Sequence, residues 1–147
     1  MRRYVYPARI ARKAGTVLAT FRDLPEAVTE GRTEGEAANE AYAVLEAALW
    51  FRLQNGEPIP EPTPAKRGEV LVPVDPATAA KLAFAAAFRD SELTRVQFAK
   101  MIKLDDKEIR RMLDPGHRTK IERLGEGMRA LGRRLVVAEM QDETARL

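Results

Sequence analysis

The chain contains no cysteine. That excludes a disulfide framework and any thiolate metal site. It contains one histidine, His117, and no Ser/His/Asp or Cys/His set for nucleophilic catalysis. No apolar run is long enough to cross a bilayer. The N-terminus, MRRYVYPARIARK, is basic but lacks the continuous apolar stretch of a signal peptide, so a cytoplasmic protein without membrane partner is expected. There is no internal repeat and no phosphate-cradling glycine loop. No metal, no cofactor and no catalytic residue are expected.

What is present is an ordinary apolar fraction, 45% of 147 residues, sufficient for one domain or two small ones. The net charge of +3 is unevenly spread. Residues 1–64 hold 8 basic and 9 acidic side chains, net −1; residues 65–147 hold 17 and 13, net +4; residues 94–134 alone hold 12 and 6, net +6. A cation-rich patch of this kind suits a polyanionic partner, with affinity that falls steeply with salt.

Residues 55–68, beginning Asn55-Gly56-Glu57-Pro58-Ile59-Pro60-Glu61-Pro62-Thr63-Pro64, hold four prolines in one short run and predict an extended, semi-rigid crossover. Before it the pattern is β-β-β-α. Residues 4–12 alternate as a strand in which Pro7 marks an edge or a bulge. Ala14-Gly15 is a hairpin turn, residues 16–21 a second strand, and residues 27–31 a short third. Thr33 caps a long helix with Glu36 as its box partner. Ala38, Ala41, Tyr42, Leu45, Ala48 and Leu49 form its sheet-facing stripe, while Trp50 and Phe51 lie off it, as local packing or as a partner-binding patch. After the crossover, residues 69–74 predict a strand that closes the sheet. Asp75-Pro76 is a cap followed by an N1 proline. It opens an alanine-rich helix over residues 77–89, to be buried against the following helices or at a subunit interface.

The stretch RVQFAKMIKLDDKEIRRMLD, residues 95–114, has the layout of a helix-turn-helix, whose second helix enters the major groove of DNA. Thr94 and Gln97 make a capping box for the first helix; Val96, Phe98, Ala99 and Ile102 are its inward side. Leu104 plugs the turn, and Lys103 stands where glycine is common because that position takes positive φ. Asp105 caps the second helix with Glu108 as box partner, and Ile109, Met112 and Leu113 face inward. The outward face keeps Asp106, Lys107, Arg110 and Arg111. Asp106 either accepts from a cytosine amine or favours the helix N-terminus. The loop Asp114-Pro115-Gly116-His117-Arg118 leads to a helix capped by Thr119, with Glu122 as box partner and Ile121, Leu124, Met128 and Leu131 inward. Arg118 and Lys120 flank its start, a place to grip phosphate. His117 reads as a solvated or phosphate-contacting residue. Gly132 ends that helix, residues 134–139 predict a short C-terminal strand able to pair with its copy in a second subunit, and the last residues are expected to fray. The DNA-binding set is thus Arg95, Asp106, Lys107, Arg110, Arg111, His117, Arg118 and Lys120, on a homodimer or higher homo-oligomer.

One ordered set of motifs resembles a known family. Tyr6-Pro7-Ala8, Phe21-Arg22-Asp23-Leu24-Pro25, Val28-Thr29-Glu30-Gly31, Thr33-Glu34-Gly35-Glu36-Ala37, Asn55-Gly56-Glu57-Pro58-Ile59-Pro60 and Val72-Pro73-Val74 follow the order and spacing of the HicB antitoxins. Four positions depart from that pattern: Arg22 replaces a usual proline, Glu26-Ala27 a usual Gly-Cys, and Arg32 a usual aspartate. The resemblance implies an α+β chain with two parts. Residues 1–74 would be a partial, inactive ribonuclease-H-like β-β-β-α-β domain that binds a HicA-type mRNA-cleaving toxin. Residues 75–147 would be an α-helical helix-turn-helix domain with a short C-terminal strand that dimerises and represses the toxin–antitoxin operon on operator DNA. The residues agree with an inactive fold: among residues 1–31 only Asp23, Glu26 and Glu30 are acidic, too few on the strands for a metal-dependent nuclease. The alternative is a stand-alone transcriptional repressor whose N-terminal domain senses a small ligand.

Overall fold

A computed structural model describes residues 1–147. The chain is α+β and divides into two compact units, Met1–Asp75 with Glu139–Leu147, and Pro76–Ala138.

The first unit is a four-stranded antiparallel sheet with one long helix on it. Its elements are β1 (Val5–Lys13), β2 (Thr16–Phe21), β3 (Val28–Gly31), α1 (Glu34–Gln54) and β4 (Glu69–Pro73). The strand order is β3-β2-β1-β4, so the strand after the crossover does close the sheet. β1 and β2 meet at a two-residue turn in which Ala14 and Gly15 both have positive φ, 49° and 84°; such a turn matches the twist of the strands it joins. Pro7 corrects the expectation of an edge or bulge, because β1 is a central strand. Pro7 pairs with Leu71 of β4, while the β2 ladder begins only at Ala8 opposite Phe21. The Leu71 N–H points away from β1, to Glu143, so Pro7 turns its nitrogen to the β2 side, beyond the end of that ladder. The missing donor therefore breaks no sheet bond.

Alternation along the strands puts Tyr6, Ala8, Val17, Ala19, Phe21 and Val72 on the covered face, where they meet Ala37, Ala38, Ala41, Leu45 and Leu49 of α1 in the buried core. Thr33 caps α1 by accepting from the Glu36 N–H at 3.1 Å. Glu36 closes the cap one residue early, on the Arg32 N–H at 2.9 Å and on the Arg32 guanidinium.

The proline-rich crossover is fastened to the sheet. The Tyr6 hydroxyl donates to the Pro60 carbonyl at 2.9 Å, and the Asp23 carboxylate accepts from the Thr63 N–H and hydroxyl at 2.9 and 2.8 Å. Arg22, one of the departures from the family pattern, binds Glu69 through two nitrogens at 3.2 and 2.9 Å and reaches the Pro64 carbonyl at 3.1 Å. The guanidinium, helped by the Lys66 N–H, holds the Glu69 carboxyl down to about 2. A carboxylate whose folded pKa is depressed contributes stability above its ordinary value of 4.5, and that contribution is lost as pH falls from there through about 2. Wild type and Glu69→Gln should therefore differ in urea midpoint at neutral pH and converge as the pH is lowered across that window. Curves that stay parallel would show that the pair does not stabilise the fold.

The expectation of a frayed C-terminus is corrected. Residues 139–147, assigned above to the C-terminal part, pack with the first unit and end in a 3₁₀ turn, Thr144–Arg146. The Asp142 carboxylate accepts from the Thr144 N–H and hydroxyl, the Thr144 hydroxyl meets the Tyr42 hydroxyl at 2.9 Å, and Glu143 accepts from Leu71 on the outer edge of β4 at 2.6 Å. These partners lie some seventy to a hundred residues away in sequence (72 and 102), which no local pattern reveals.

The second unit contains α2 (Pro76–Asp90), α3 (Arg95–Ile102), α4 (Asp106–Leu113) and α5 (Ile121–Ala130). Its core joins Phe84 of α2 to Phe98 and Ala99 of α3, Ile109 and Met112 of α4, and Leu124 and Met128 of α5. Phe84, Phe88 and Phe98 pack with centroids 5.5–6.2 Å apart. This side of α2 is thus buried against the helices that follow it. The predicted C-terminal strand is not formed: residues 133–140 have no ladder, because a strand needs a hydrogen-bonded neighbour and none adjoins it within the chain. Val136 and Val137 there are 71% and 82% exposed. Two inward assignments also change. Val96 is 57% exposed, since it lies two residues, about 200° of helix, from the buried Phe98. Ile121, in the first turn of α5, is half exposed.

Candidate nucleic-acid interface

α3 and α4 are short, and their ends are set by side chains. Thr94 accepts from the Gln97 N–H at 3.1 Å while the Gln97 side chain accepts from the Thr94 N–H at 2.9 Å, a complete capping box. Lys103 ends α3 in the left-handed region, φ 56° and ψ 44°, so a lysine does occupy the conformation that favours glycine. Asp105 caps α4 by accepting from the Glu108 N–H at 2.8 Å. Glu108 does not close a box on it; its carboxylate takes Arg111 Nη1 at 2.8 Å instead, the pairing open to residues one turn apart.

The outward face of α4 presents Lys107 and Arg110, with Arg111 half-buried at its side. Asp106 sits between two arginines, 2.8 Å from Arg110 Nε and 3.4 Å from Arg95 Nε. Its carboxylate is already engaged and joins α3 to α4, so it orients two cations of the face.

Beyond α4, the Asp114 side chain accepts from the Gly116 N–H at 2.8 Å and its carbonyl from the His117 N–H at 3.2 Å, folding a tight turn of the kind aspartate favours. His117 is half-buried, its Nδ1 3.5 Å from the Thr119 hydroxyl. Thr119 does not cap α5: its hydroxyl donates to the Arg111 carbonyl at 3.4 Å. The first cap position therefore falls on Lys120, which offers no side-chain acceptor. Arg118 and Lys120 are exposed. The loop that carries them is tied to the end of α4 by that Thr119 contact.

A residue that sequence reasoning passed over lies beneath this surface. Lys81 is the single charged residue of α2 before Arg89. It is 5% exposed, and its ammonium donates to the Arg111 carbonyl at 2.9 Å and to the Asp114 carbonyl. Burial lowers its pKa below the ordinary lysine value, against the opposing charge of Asp114. The available signal was a lone cation in an otherwise apolar helix.

No three of the chain's histidine, aspartate and glutamate side chains converge to hold a metal ion, and no helix is long and apolar enough to cross a membrane.

Residues 5–83 match the family described as HicB_like antitoxin of bacterial toxin–antitoxin system. The chain belongs to that family. Among HicB relatives, Antitoxin HicB 1 of Photorhabdus laumondii subsp. laumondii is 35% identical over 124 residues, 84% of this chain and 79% of its own. Antitoxin HicB of Escherichia coli strain K12 is 34% identical over 121 residues, 82% and 88% of the two chains. Antitoxin HicB of Pseudomonas fluorescens is 23% identical over 136 residues, 92% and 93%. The HicB family match ends within α2, before α3 begins. Any 124-residue stretch of a 147-residue chain includes residues 24–124, so the first of these likenesses takes in α3 and α4 as well.

Proposed function

We propose that this antitoxin neutralises a HicA-type mRNA-cleaving toxin through its first unit and represses its own operon through its second. On this reading the first unit is a partial ribonuclease-H-like fold without catalysis. The second is a helix-turn-helix in which α3 crosses the DNA backbone and α4 lies in the major groove. The observation that carries it is the joining, in one HicB-like chain, of the antitoxin unit to a capped helix pair whose second helix exposes Lys107 and Arg110 beside Arg111. Those three side chains read bases or phosphates. Arg95, Arg118 and Lys120 hold phosphates, with His117 at the edge of the contact and Asp106 as a brace for the arginines.

Two copies suit this surface, because helix-turn-helix dimers read half-sites about one helical turn, roughly 34 Å, apart or a multiple of it. The unpaired segment at residues 133–140 supports the same conclusion. Antiparallel pairing about a two-fold axis between Val136 and Val137 sets each valine against the other one of the partner subunit, and each Arg134 against a glutamate at position 139. Apolar and opposite-charge cross-strand pairs of this kind stabilise a ribbon.

Co-expression with the protein encoded beside this gene tests the whole reading. A complex that survives affinity purification and rescues growth supports it, and sedimentation of the chain alone reports the copy number. Absence of a toxic neighbour, or of a complex, would remove the antitoxin role of the first unit. The groove assignment is tested separately. Arg111→Ala should lower affinity for operator DNA by a factor of about 5–100 and relax sequence preference. Lys120→Ala should weaken binding to operator and scrambled duplexes alike and reduce the salt slope by about 1. Equal effects of the two changes on both duplexes would sink the distinction between base reading and phosphate grip.

A further inference from the structure

α4 has only eight residues, and a helix leaves its last four carbonyls without partners inside itself. The usual remedy is a glycine in the left-handed conformation just past the end. It is missing here: the C-cap is Asp114, extended at φ −84° and ψ 116°, as suits a residue that precedes Pro115. The backbone supplies two bonds at this end, from the Asp114 N–H to the Arg111 carbonyl at 3.3 Å and from the His117 N–H to the Asp114 carbonyl at 3.2 Å. Further donors come from side chains of other elements. Lys81 on α2 delivers its ammonium to the Arg111 carbonyl at 2.9 Å and to the Asp114 carbonyl one turn on, and the Thr119 hydroxyl joins on Arg111 at 3.4 Å.

The geometry points to Lys81 as a positioning residue for DNA recognition: a buried cation from α2 that caps α4 from outside and locks the end of that helix to the loop bearing Arg118 and Lys120. It does not touch DNA. A cation at a helix C-terminus meets the negative end of the helix dipole, and the two carbonyls give the buried Lys81 ammonium the acceptors that its burial requires. Without it the last turn of α4, which carries Arg110 and Arg111, frays, and the spacing between those arginines and the phosphate-gripping loop is no longer fixed. Sequence reading then suffers more than phosphate attraction, because base contacts demand placement within a fraction of an ångström whereas the charge patch does not. This inference rests on the DNA-binding reading of α4.

The test uses the full chain, with a duplex from the region upstream of the gene and a scrambled duplex of the same length, at one fixed salt concentration. Lys81→Met keeps the length and apolar stem but removes the charge and the donors. It should lose at least about ten-fold in affinity for the upstream duplex, roughly one bidentate base contact, and less than about three-fold for the scrambled one. Lys81→Arg, which keeps charge and donors, should recover most of the difference. A Lys81→Met chain with wild-type discrimination overturns the proposal. Amide exchange of the free protein separates the other outcomes. If the wild type shows no preference between duplexes, the DNA reading has failed, and the exchange of Met112 and Leu113 then decides whether Lys81 still holds the helix end. If Lys81→Met does not fold, the wild-type amides of Met112 and Leu113 should exchange as slowly as those of Phe84 and Ala85 in α2. Fast local exchange at the end of α4 would overturn the clamp.

Discussion

Gly31→Ala is expected to destabilise the first unit by about 3 kcal/mol or more, at the upper end of what overpacking costs. Gly31 ends β3 where the chain turns into α1. A Cβ built there would lie 2.5 Å from the Ala37 nitrogen, 2.8 Å from the Glu36 Cβ and 2.9 Å from the Glu36 carbonyl carbon. Two of these are backbone atoms of the first turn of α1, not the far end of a flexible side chain. Neither side can retreat. Ala37 is fully buried and its N–H is bonded to the Thr33 carbonyl at 3.0 Å. Gly31 pairs with Val17 and accepts from the Thr16 hydroxyl at 3.0 Å. The methyl group therefore has to separate strand from helix. Against a total domain stability of about 5–15 kcal/mol, much of the first unit's margin is lost. Thermal unfolding followed by circular dichroism should move down by tens of degrees, at about 4–8 °C per kcal/mol, and rescue of growth from the toxin should fail. A wild-type midpoint would show that the β3–α1 junction opens without cost.

Most of the fold was legible because its signals are local. The β2 strand, the Thr33, Thr94 and Asp105 caps, the αL residue at Lys103 and the stop at Gly132 each depend on neighbours within a few residues. The inward set Phe98, Ala99, Ile109, Met112, Leu124 and Met128 follows from helical period alone. What escaped depends on partners far along the chain. Pro7 reads as an edge or a bulge because sequence does not say how far the adjacent ladder runs. The last residues read as frayed because Tyr42 and Leu71, which receive them, are not near them in sequence. Glu108 and Thr119 stand at capping-box spacing, but the Glu108 carboxylate is taken by Arg111 one turn away and the Thr119 hydroxyl donates to the Arg111 carbonyl at the end of α4. Of the cations on the candidate interface, Arg95, Lys107, Arg110, Arg118 and Lys120 are exposed and Arg111 is half-buried. The supports of that interface, Asp106 between two arginines and Lys81 beneath the helix end, depend on how α2, α3 and α4 pack together. Arg22 looked like a loss from the family pattern and turned out to fasten Glu69 and the proline-rich crossover.

Phe84→Ala should unfold the second unit and leave a chain that still relieves toxicity but no longer represses. Phe84 is fully buried, its ring stands 6.2 Å from Phe88 and 5.8 Å from Phe98, and Gly127 of α5 is packed against its edge. That contact is so close that a Cβ on Gly127 would lie 2.7 Å from the ring, so α5 docks where it does because Phe84 fills the space. Removing a buried phenylalanine side chain costs about 3–5 kcal/mol. The second unit, Pro76–Ala138, is of a size at which a single core leaves little surplus. The loss is therefore comparable to its whole stability, whereas the same change in a larger core would be tolerated. Amide exchange should rise first across α3, α4 and α5, and affinity for the upstream duplex should drop by about two orders of magnitude or more, the population penalty of a folded fraction near 1%. A reporter fused to the operon promoter should be derepressed while growth rescue by co-expression persists. Loss of both activities together would mean that toxin neutralisation needs the second unit as well, and the division of labour between the two units would have to be abandoned.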